Sequence, residues 1–597
     1  MPPARARHER RWHVLRSAIL AIPLGLLAVG QPISAPHPAG TQSTYVGSQA
    51  CAKCHASIYQ SYARTDMGRS MSEINPSLPL LQKLATPVSL FDPRLDRHFE
   101  VYVKDGTLYQ SEFQTAAGGQ EVFRDVHGID WIIGSGANGL GGIIKRGDYL
   151  FEAPLSFYAR KQTWGLSPGY EFYDYGFNRP ILPACIACHS GQPNPVLGGN
   201  GRFLEPPFTE LAIGCENCHG PGEQHALEMQ LSSSAESTSS SIVNPAKLSP
   251  WVANNICMSC HQIGDARVLR PGKTYRDFHP GDPLEQTLSV FMVPFSRESA
   301  PKDDLLEHYL SMRLSKCYQG SRGRLSCISC HDPHVQPTPQ EAPSYFRPKC
   351  LACHTQKSCA VPQPLRQRGN PPDDCAGCHM PKRSVAVISH TVLTNHRIVA
   401  TAEEPFPDAA FHMTSPLLPD LVQLNADPGA TATPSPLTLL EAYGQVLGAH
   451  PEYRERYWAL ARQLEVSERD RVIVLEALAD WSLQKKNNEG ASDAVTYLSA
   501  AIEKGSSTPA DFEQLATLLL ASRRHPEAIR VLQNGIALVP YDPELYELMA
   551  KAYRGSDKAQ AACEILDSAV QKFPQHSGLR EMRKGCTAAA GTNAEGK

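Results

Sequence analysis

The spacing of hydrophobic positions divides the chain into unlike stretches. Phe99 to Tyr109 alternates apolar and polar residues around Asp105-Gly106, the period of two strands joined by a tight hairpin. Short apolar runs broken by glycines continue from Phe123 to Tyr158, so residues 88–160 read as a small β-rich insertion. From Leu437 onward the pattern turns helical. Small residues recur every 34 positions as Ala494, Ala528 and Ala562, and again as Ala501, Gly535 and Ala569. Leu498, Leu532 and Leu566 fill the position between, and Pro540 and Pro574 close successive units. Residues 437–590 therefore read as a solenoid of helix pairs, with Leu437 to Glu465 a degenerate further unit or a cap. Thr401 to Pro436, rich in Pro, Ala and Thr, reads as a linker.

Between the insertion and the linker neither period is present. The cysteines supply the reason. Of 18, 14 fall in seven Cys-x-x-Cys-His motifs. These are Cys51/Cys54/His55, Cys185/Cys188/His189, Cys215/Cys218/His219, Cys257/Cys260/His261, Cys327/Cys330/His331, Cys350/Cys353/His354 and Cys375/Cys378/His379. The pattern is that of covalent c-type haem attachment, in which two thioethers hold the porphyrin and the histidine binds iron from the proximal face. Zinc or disulfides are the alternative, but zinc sites do not require His directly after every second Cys. Six motifs within residues 185–379 leave no room for a conventional core. Seven haems, held by short helices and loops, are expected to be the core there. The aromatic run from Trp164 to Arg179 reads either as porphyrin packing or as ordinary core.

The 34-residue period is that of the tetratricopeptide repeat, in which small residues let two helices pack closely. The expected fold is thus mostly α and irregular: a multihaem cytochrome c domain over residues 45–400, then an α-helical tetratricopeptide-repeat solenoid. Length agrees, since 597 residues are too many for one core. The net charge of -3 gives no basic field of the kind that draws nucleic acid. Arg5, Arg7, Arg10, Arg11 and Arg16 precede an apolar run from Ala18 to Gly30, which reads as a signal peptide within residues 1–35. Cleavage fits after Gly30 or Ala35. Left uncleaved, this segment would be the chain's one membrane contact. Either way the body is expected in the periplasm or outer cell envelope, where haem is attached. Cys317, Cys359, Cys563 and Cys586 remain, and an oxidising compartment favours Cys317 with Cys359 and Cys563 with Cys586.

The other face of each iron needs a ligand. His225 follows its motif through the turn Gly-Pro-Gly, and His334 follows His331 through Asp-Pro. His334 stands too close in sequence to reach round the same porphyrin, so it is expected to serve a neighbouring haem. His390 and His396 lie in an extended segment beyond the last motif. These four rank first, followed by His127 and His308, with His98, His279 and His412 weaker.

The motifs Cys-His-Gly-Pro-Gly-x-x-His and Cys-His-Asp-Pro-His, with the His390/His396 tail, resemble the multihaem cytochromes typified by the tetrahaem electron carrier partnered with hydroxylamine oxidoreductase. The resemblance extends to a group with C-terminal tetratricopeptide repeats. It implies a distal ligand soon after the first motif. Tyr62-Ala-Arg-Thr-Asp-Met67 places methionine where that family has histidine, which makes Met67 a candidate ligand and the first haem the high-potential end. The leading reading is an extracytoplasmic electron carrier with redox partner proteins and a protein docked on the repeats. The alternative is an oxidoreductase of a small nitrogen or sulfur compound with one open haem. A scaffold with structural haems ranks third.

Overall fold

A computed structural model describes residues 44–75, 81, 84, 86–231, 241–296, 307–384, 392–401, 404–411, 418–427, 429 and 433–592. The signal segment, His390 and His412 lie outside the described residues. Among the described residues no helix is long and apolar enough to cross a membrane.

The β-rich region is larger than residues 88–160. Strands β1 (Met71–Glu73), β2 (Val88–Asp92), β3 (Arg97–Lys104), β4 (Thr107–Thr115), β5 (Glu121–Gly128), β6 (Trp131–Ile133), β7 (Gly139–Arg146), β8 (Tyr149–Tyr158), β9 (Thr163–Leu166) and β10 (Arg179–Pro180) form two antiparallel sheets. One is β2-β3-β4-β5; the other is β1-β6-β7-β8-β10, with β9 on β8. Lys104 pairs with Thr107 across Asp105 and Gly106, whose φ angles of 51° and 78° are those a two-residue primed turn demands. Phe99, Val101 and Leu108 from the first sheet meet Ile144 and Leu155 from the second, all within a few per cent of full burial. Trp164 and Phe177 lie in that same core. Trp164, Tyr170 and Phe177 of that run thus pack as ordinary core, while Phe172 is exposed.

Short helices carry the motifs: Glu216–His219, Pro250–His261, Cys327–Cys330, Ala342–Leu351 and Cys375–His379 among them. Strands β11 (Gln192–Pro195) and β12 (Phe203–Glu210) pair after the second motif, and β13 (Ala266–Leu269) and β14 (Leu288–Met292) follow the fourth. The expected linker is no free tether. Val422–Gln423 pairs with β14, and Asn425, fully buried, donates to Leu288 O and accepts from Val290 N. Proline- and alanine-rich sequence concealed a short strand secured by one side chain.

From Pro436 the chain is helical, in pairs: Pro436–Val446 with Arg454–Glu468, Val472–Leu483 with Asn488–Glu503, Pro509–Ala521 with His525–Leu538, and Pro543–Gly555 with Ala559–Lys572. Ser577–Thr592 follows. Ala494, Ala528 and Ala562 are fully buried, as are Ala501 and Ala569. A Cβ on Gly535 would stand 3.1 Å from Phe512 Cβ, so the small residue sets how closely those helices approach. Cys563 and Cys586 form a disulfide that ties Ala559–Lys572 to the last helix.

The other expected disulfide is absent, because Cys317 and Cys359 are both free. Cys317 sits on the helix Lys316–Gly320, while Cys359 closes the short turn Gln356–Ser358. The two cysteines belong to different local clusters.

Candidate haem centres

The motif segments are packed against one another by buried polar groups. Glu216, inside the third motif and 1% exposed, accepts hydrogen bonds from Val46 N (3.0 Å), Gly47 N (2.7 Å) and Gly222 N (2.7 Å). Ser48 Oγ accepts from Cys215 N at 2.9 Å. These contacts hold the first motif on the third, across about 170 residues of sequence. Asn254 Oδ1 accepts from Cys327 N at 2.9 Å and so binds the fourth motif's helix to the fifth. Sequence reasoning missed Glu216, Ser48 and Asn254. The one sign available was a glutamate between the cysteines of a motif, and nothing in the sequence marks it as buried.

Imidazole rings come together from different motifs. His55 and His225 are stacked with centroids 6.4 Å apart and planes 17° from parallel. His219 and His334 are stacked at 6.1 Å and 13°. His331 and His396 stand at 6.2 Å and 34°, and His261 and His308 at 5.6 Å and 74°. Two imidazoles bound to one metal from opposite faces, each through a bond of roughly 2 Å, hold their centroids roughly 6 Å apart. The four pairs fit that requirement. The Nδ1 of His225 is buried without a hydrogen-bond partner, a polar atom left over for a ligand. His219 Nδ1 donates to Val243 O, His379 Nδ1 to Val399 O and His396 Nδ1 to Thr394 O, which leaves Nε2 of each as the free donor atom. Burial, then His396, pushes His308 down to about 3, and burial pushes His396 down to about 4. Both are neutral imidazoles at physiological pH, the form that ligates a metal.

A cavity of about 1360 Å³ runs through this region. Cysteines of the second to sixth motifs line it, with His261, His308, His331, His396 and Met67. The residues therefore fit haem c: paired sulfurs for thioether bonds, an adjacent imidazole, a second imidazole opposite, and apolar volume between. Among the described residues no group of three or more His, Cys, Asp or Glu side chains converges on one point, as a zinc cage would.

Three placements differ from the sequence reading. His55 of the first motif is opposed by His225, whereas Met67 lines the main cavity. His127 lies on β5, its Nε2 2.9 Å from Asp125 Oδ1 and its ring 4.5 Å from Phe177. The sheet claims that histidine, and the structure does not bring it to a motif. The third concerns the seventh motif, expected within the shared porphyrin core. Cys378 is exposed, and neither it nor Cys375 lines the cavity, although Ala376 and Gly377 between them do. Residues three apart share one face of a helical turn. The short helix Cys375–His379 gives its Ala376–Gly377 side to the cavity and leaves Cys378 at the surface. Cys54, Cys185 and Cys353 are exposed as well.

His98 is held between Phe91 and Phe113. Among the described residues no imidazole ring packs against His354 or His379, and His189 has none stacked on it although burial, then His261, pushes it down.

No family model matches the chain. It is 25% identical over 140 residues to the C-type polyheme cytochrome OmcC of Geobacter sulfurreducens, covering 17% of this chain and 18% of that one. It is 24% identical over 209 residues to the multiheme cytochrome MtrA of Shewanella baltica, covering 31% of this chain and 56% of that one. The chain thus spans from a fifth to about half of the length of these relatives. Among solved structures, the outer cell wall cytochrome OcwA aligns over 77% of this chain and all of its own, at 15% identity and a TM-score of 0.32. The tetratricopeptide-repeat protein YrrB aligns over 25% of this chain and 75% of its own, at 15% identity and a TM-score of 0.23. The chain is similar, at low identity, to multihaem c-type cytochromes.

Proposed function

We propose that the protein is an extracytoplasmic electron carrier with seven covalent haems, one on each Cys-x-x-Cys-His motif. The observation that carries this is the set of imidazole pairs at 5.6–6.4 Å, each joining a motif histidine to a histidine from elsewhere in the chain. His55, His219, His261 and His331 act as proximal ligands, with His225, His334, His308 and His396 opposite. The bound haem supplies one-electron exchange at iron. The chain fixes the spacing, excludes water and tunes each potential through the second ligand and its hydrogen bonds. Redox partner proteins would meet the exposed motifs, the first at Cys54 and His55 and the seventh at Cys378. The resemblance to the carrier partnered with hydroxylamine oxidoreductase, the export signal and partner docking on the repeats belong to this same proposal.

A second reading, an oxidoreductase of a small nitrogen or sulfur compound, rests on His189, His354 and His379, against which no imidazole ring packs among the described residues. Met67 and His390 are the candidates to close two of these sites. Spin state separates the readings. Intact mass of the exported protein should show seven haems, and the ferric spectrum should be wholly low-spin. One high-spin haem that binds nitrite or hydroxylamine would turn the assignment to the enzyme.

A further inference from the structure

The order of the motifs in the sequence is not their order in space. A porphyrin held by thioethers has an edge at its cysteines and its iron at the motif histidine, so two attachment segments in contact bring two haems side by side. Four such contacts return to their starting point. The third motif meets the fifth through His334, whose ring stacks on His219 at 6.1 Å although it stands three residues beyond His331. The fifth meets the fourth through the second ligands. The His308 ring lies 5.6 Å from His261 and 4.6 Å from His396, which faces His331. Asn254 Oδ1 also accepts from Cys327 N at 2.9 Å. The fourth meets the second reciprocally. Cys188 Sγ lies 3.9 Å from Ser259 O, and Cys260 Sγ lies 4.0 Å from Ala187 O. Each sulfur thus meets the carbonyl just before the other motif's second cysteine. Arg267, 9% exposed, donates to Ser259 O at 2.7 Å and to Gln262 O at 2.8 Å, and so holds that turn in place. The second returns to the third, where Asn217 Nδ2, inside the third motif, donates at 3.0 Å to Gly191 O, two residues beyond His189. Cysteines of all four motifs line the main cavity: Cys188, Cys218, Cys257, Cys260, Cys327 and Cys330.

The remaining motifs attach as two arms. Glu216 and Ser48 hold the first motif on the third, and His55 is opposed by His225, six residues beyond His219. Ser61, on the helix after the first motif, donates to His334 O at 2.8 Å, which brings this arm to the corner between the third and fifth. The sixth motif's helix Ala342–Leu351 joins at the fifth. There Asp332 N donates to the Tyr345 hydroxyl, and the Phe346 ring lies 5.4 Å from His331. The same helix packs on Cys375–His379 of the seventh, with Arg347 paired to Asp373 at 2.7 Å.

We infer that the second, third, fourth and fifth haems close a ring, joined by the first haem at the third and by the sixth and seventh at the fifth. This inference rests on the haem reading above. Its consequence is a relay with two routes. An electron passing between the arms can cross from the third haem to the fifth directly, or travel by way of the second and fourth. Each hop oxidises one iron from ferrous to ferric as its neighbour is reduced. One-electron redox proteins supply and remove the electron at the arms.

Haem neighbours shift each other's midpoint potentials by charge, so the number of potentials that move when one haem is removed counts its neighbours. Cys327→Ala with Cys330→Ala removes the fifth haem, and Cys185→Ala with Cys188→Ala removes the second. Potentiometric titration of the remaining six haems should show three or more displaced midpoints in the fifth-motif variant and two or more in the second-motif variant. A path that follows the sequence order predicts two in the fifth-motif variant. A ring left open between the second and fourth haems predicts one in the second-motif variant. Either of these lower counts would overturn the ring. Where a variant does not accumulate, a crystal structure of the haem-loaded protein decides. The third and fifth porphyrins should then be in contact, as should the second and fourth, and a third porphyrin standing between the members of either pair would overturn the ring. Intact mass of the unmodified protein separates the two levels of the argument. Fewer than seven haems would sink the haem reading itself, and seven haems with only two displaced midpoints in the fifth-motif variant would sink the ring alone.

Discussion

His334 shows what a single residue does in this arrangement. It follows His331 by three positions, yet its ring stacks on His219 of another motif at 6.1 Å. Its Nδ1 lies 3.0 Å from Asp332 Oδ1, which fixes the ring and leaves Nε2 toward the partner. His334→Ala should leave haem attached at Cys327 and Cys330 while the haem at Cys215 and Cys218 turns high-spin in the ferric spectrum. A wholly low-spin variant would show that His334 is not a ligand. Glu112 makes a separate case, away from the haems. Arg97 Nε lies 3.2 Å from both Glu112 Oε1 and Asp174 Oδ2, and one guanidinium cannot neutralise two carboxylates. Burial, then the charge of Asp174, pushes Glu112 well above its ordinary 4.5. The folded state therefore keeps a proton that the unfolded chain gives up. Stability from this group is present below pH 4.5 and is lost as pH rises from there through the raised value. Glu112→Gln should flatten the fall of Tm over that window, and an unchanged slope would contradict the assignment.

At the scale of elements, the repeats hold a second register that the hydrophobic period does not reveal. Ser507, Tyr541 and Gln575 are spaced 34 apart, at the loops that precede the alternate helices Pro509–Ala521, Pro543–Gly555 and Ser577–Thr592. Tyr541 and Gln575 meet the β-rich region, and Ser507 meets Asn200 in the loop beyond it. Asn200 Nδ2 donates to Ser507 O, the Tyr541 hydroxyl donates to Asn200 O, and Gln575 donates to Tyr175 O and accepts from Arg97 at its carbonyl. Tyr541 also packs edge-on against Tyr149 and Phe151 of β8. Tyr541→Ala should cost about 2–4 kcal/mol by cavity formation and a lost hydrogen bond. Hydrogen exchange should then rise in β8 while the haem spectrum stays unchanged. The disulfide acts at the other end of the solenoid. It closes a loop of 23 residues, so Cys563→Ala with Cys586→Ala should lower stability by about 3 kcal/mol in chemical denaturation. The 34-residue packing register was readable because the same small side chains are needed at every helix contact. The docking register was not, because Ser, Tyr and Gln share no chemistry and meet different partners. The hairpin at Asp105-Gly106 was readable for a local reason, its two left-handed residues. The strand at Val422–Gln423 was hidden because its pairing partner lies some 130 residues earlier.

Over the whole molecule, two kinds of cohesion meet. The β-rich region and the solenoid bury ordinary apolar cores, and Phe151 of β8 belongs to the same cluster as Leu515 and Leu545 of the repeats. The first helix pair packs on Ala266, Val268 and Phe291 of β13 and β14, so the solenoid also grips the segment beyond the fourth motif. The motif region is built otherwise, with short helices around a cavity of about 1360 Å³. The haem sites were legible because covalent attachment needs only a local pentapeptide. Their pairing was not, since His55 and His225 are far apart in sequence and no rule of spacing joins them. Nor was their setting: the same pentapeptide packs Cys260 against the second motif and leaves Cys378 at the surface. Met67 and His127 show the limit in both directions: one lines the cavity while His225 opposes the first motif's histidine, the other is taken by the β-sheet. The central claim is that histidines from distant segments close the irons in pairs. Near-infrared magnetic circular dichroism of the fully oxidised protein counts haems by their axial ligands. The arrangement predicts at least four low-spin bis-imidazole haems per chain; fewer than four would contradict it.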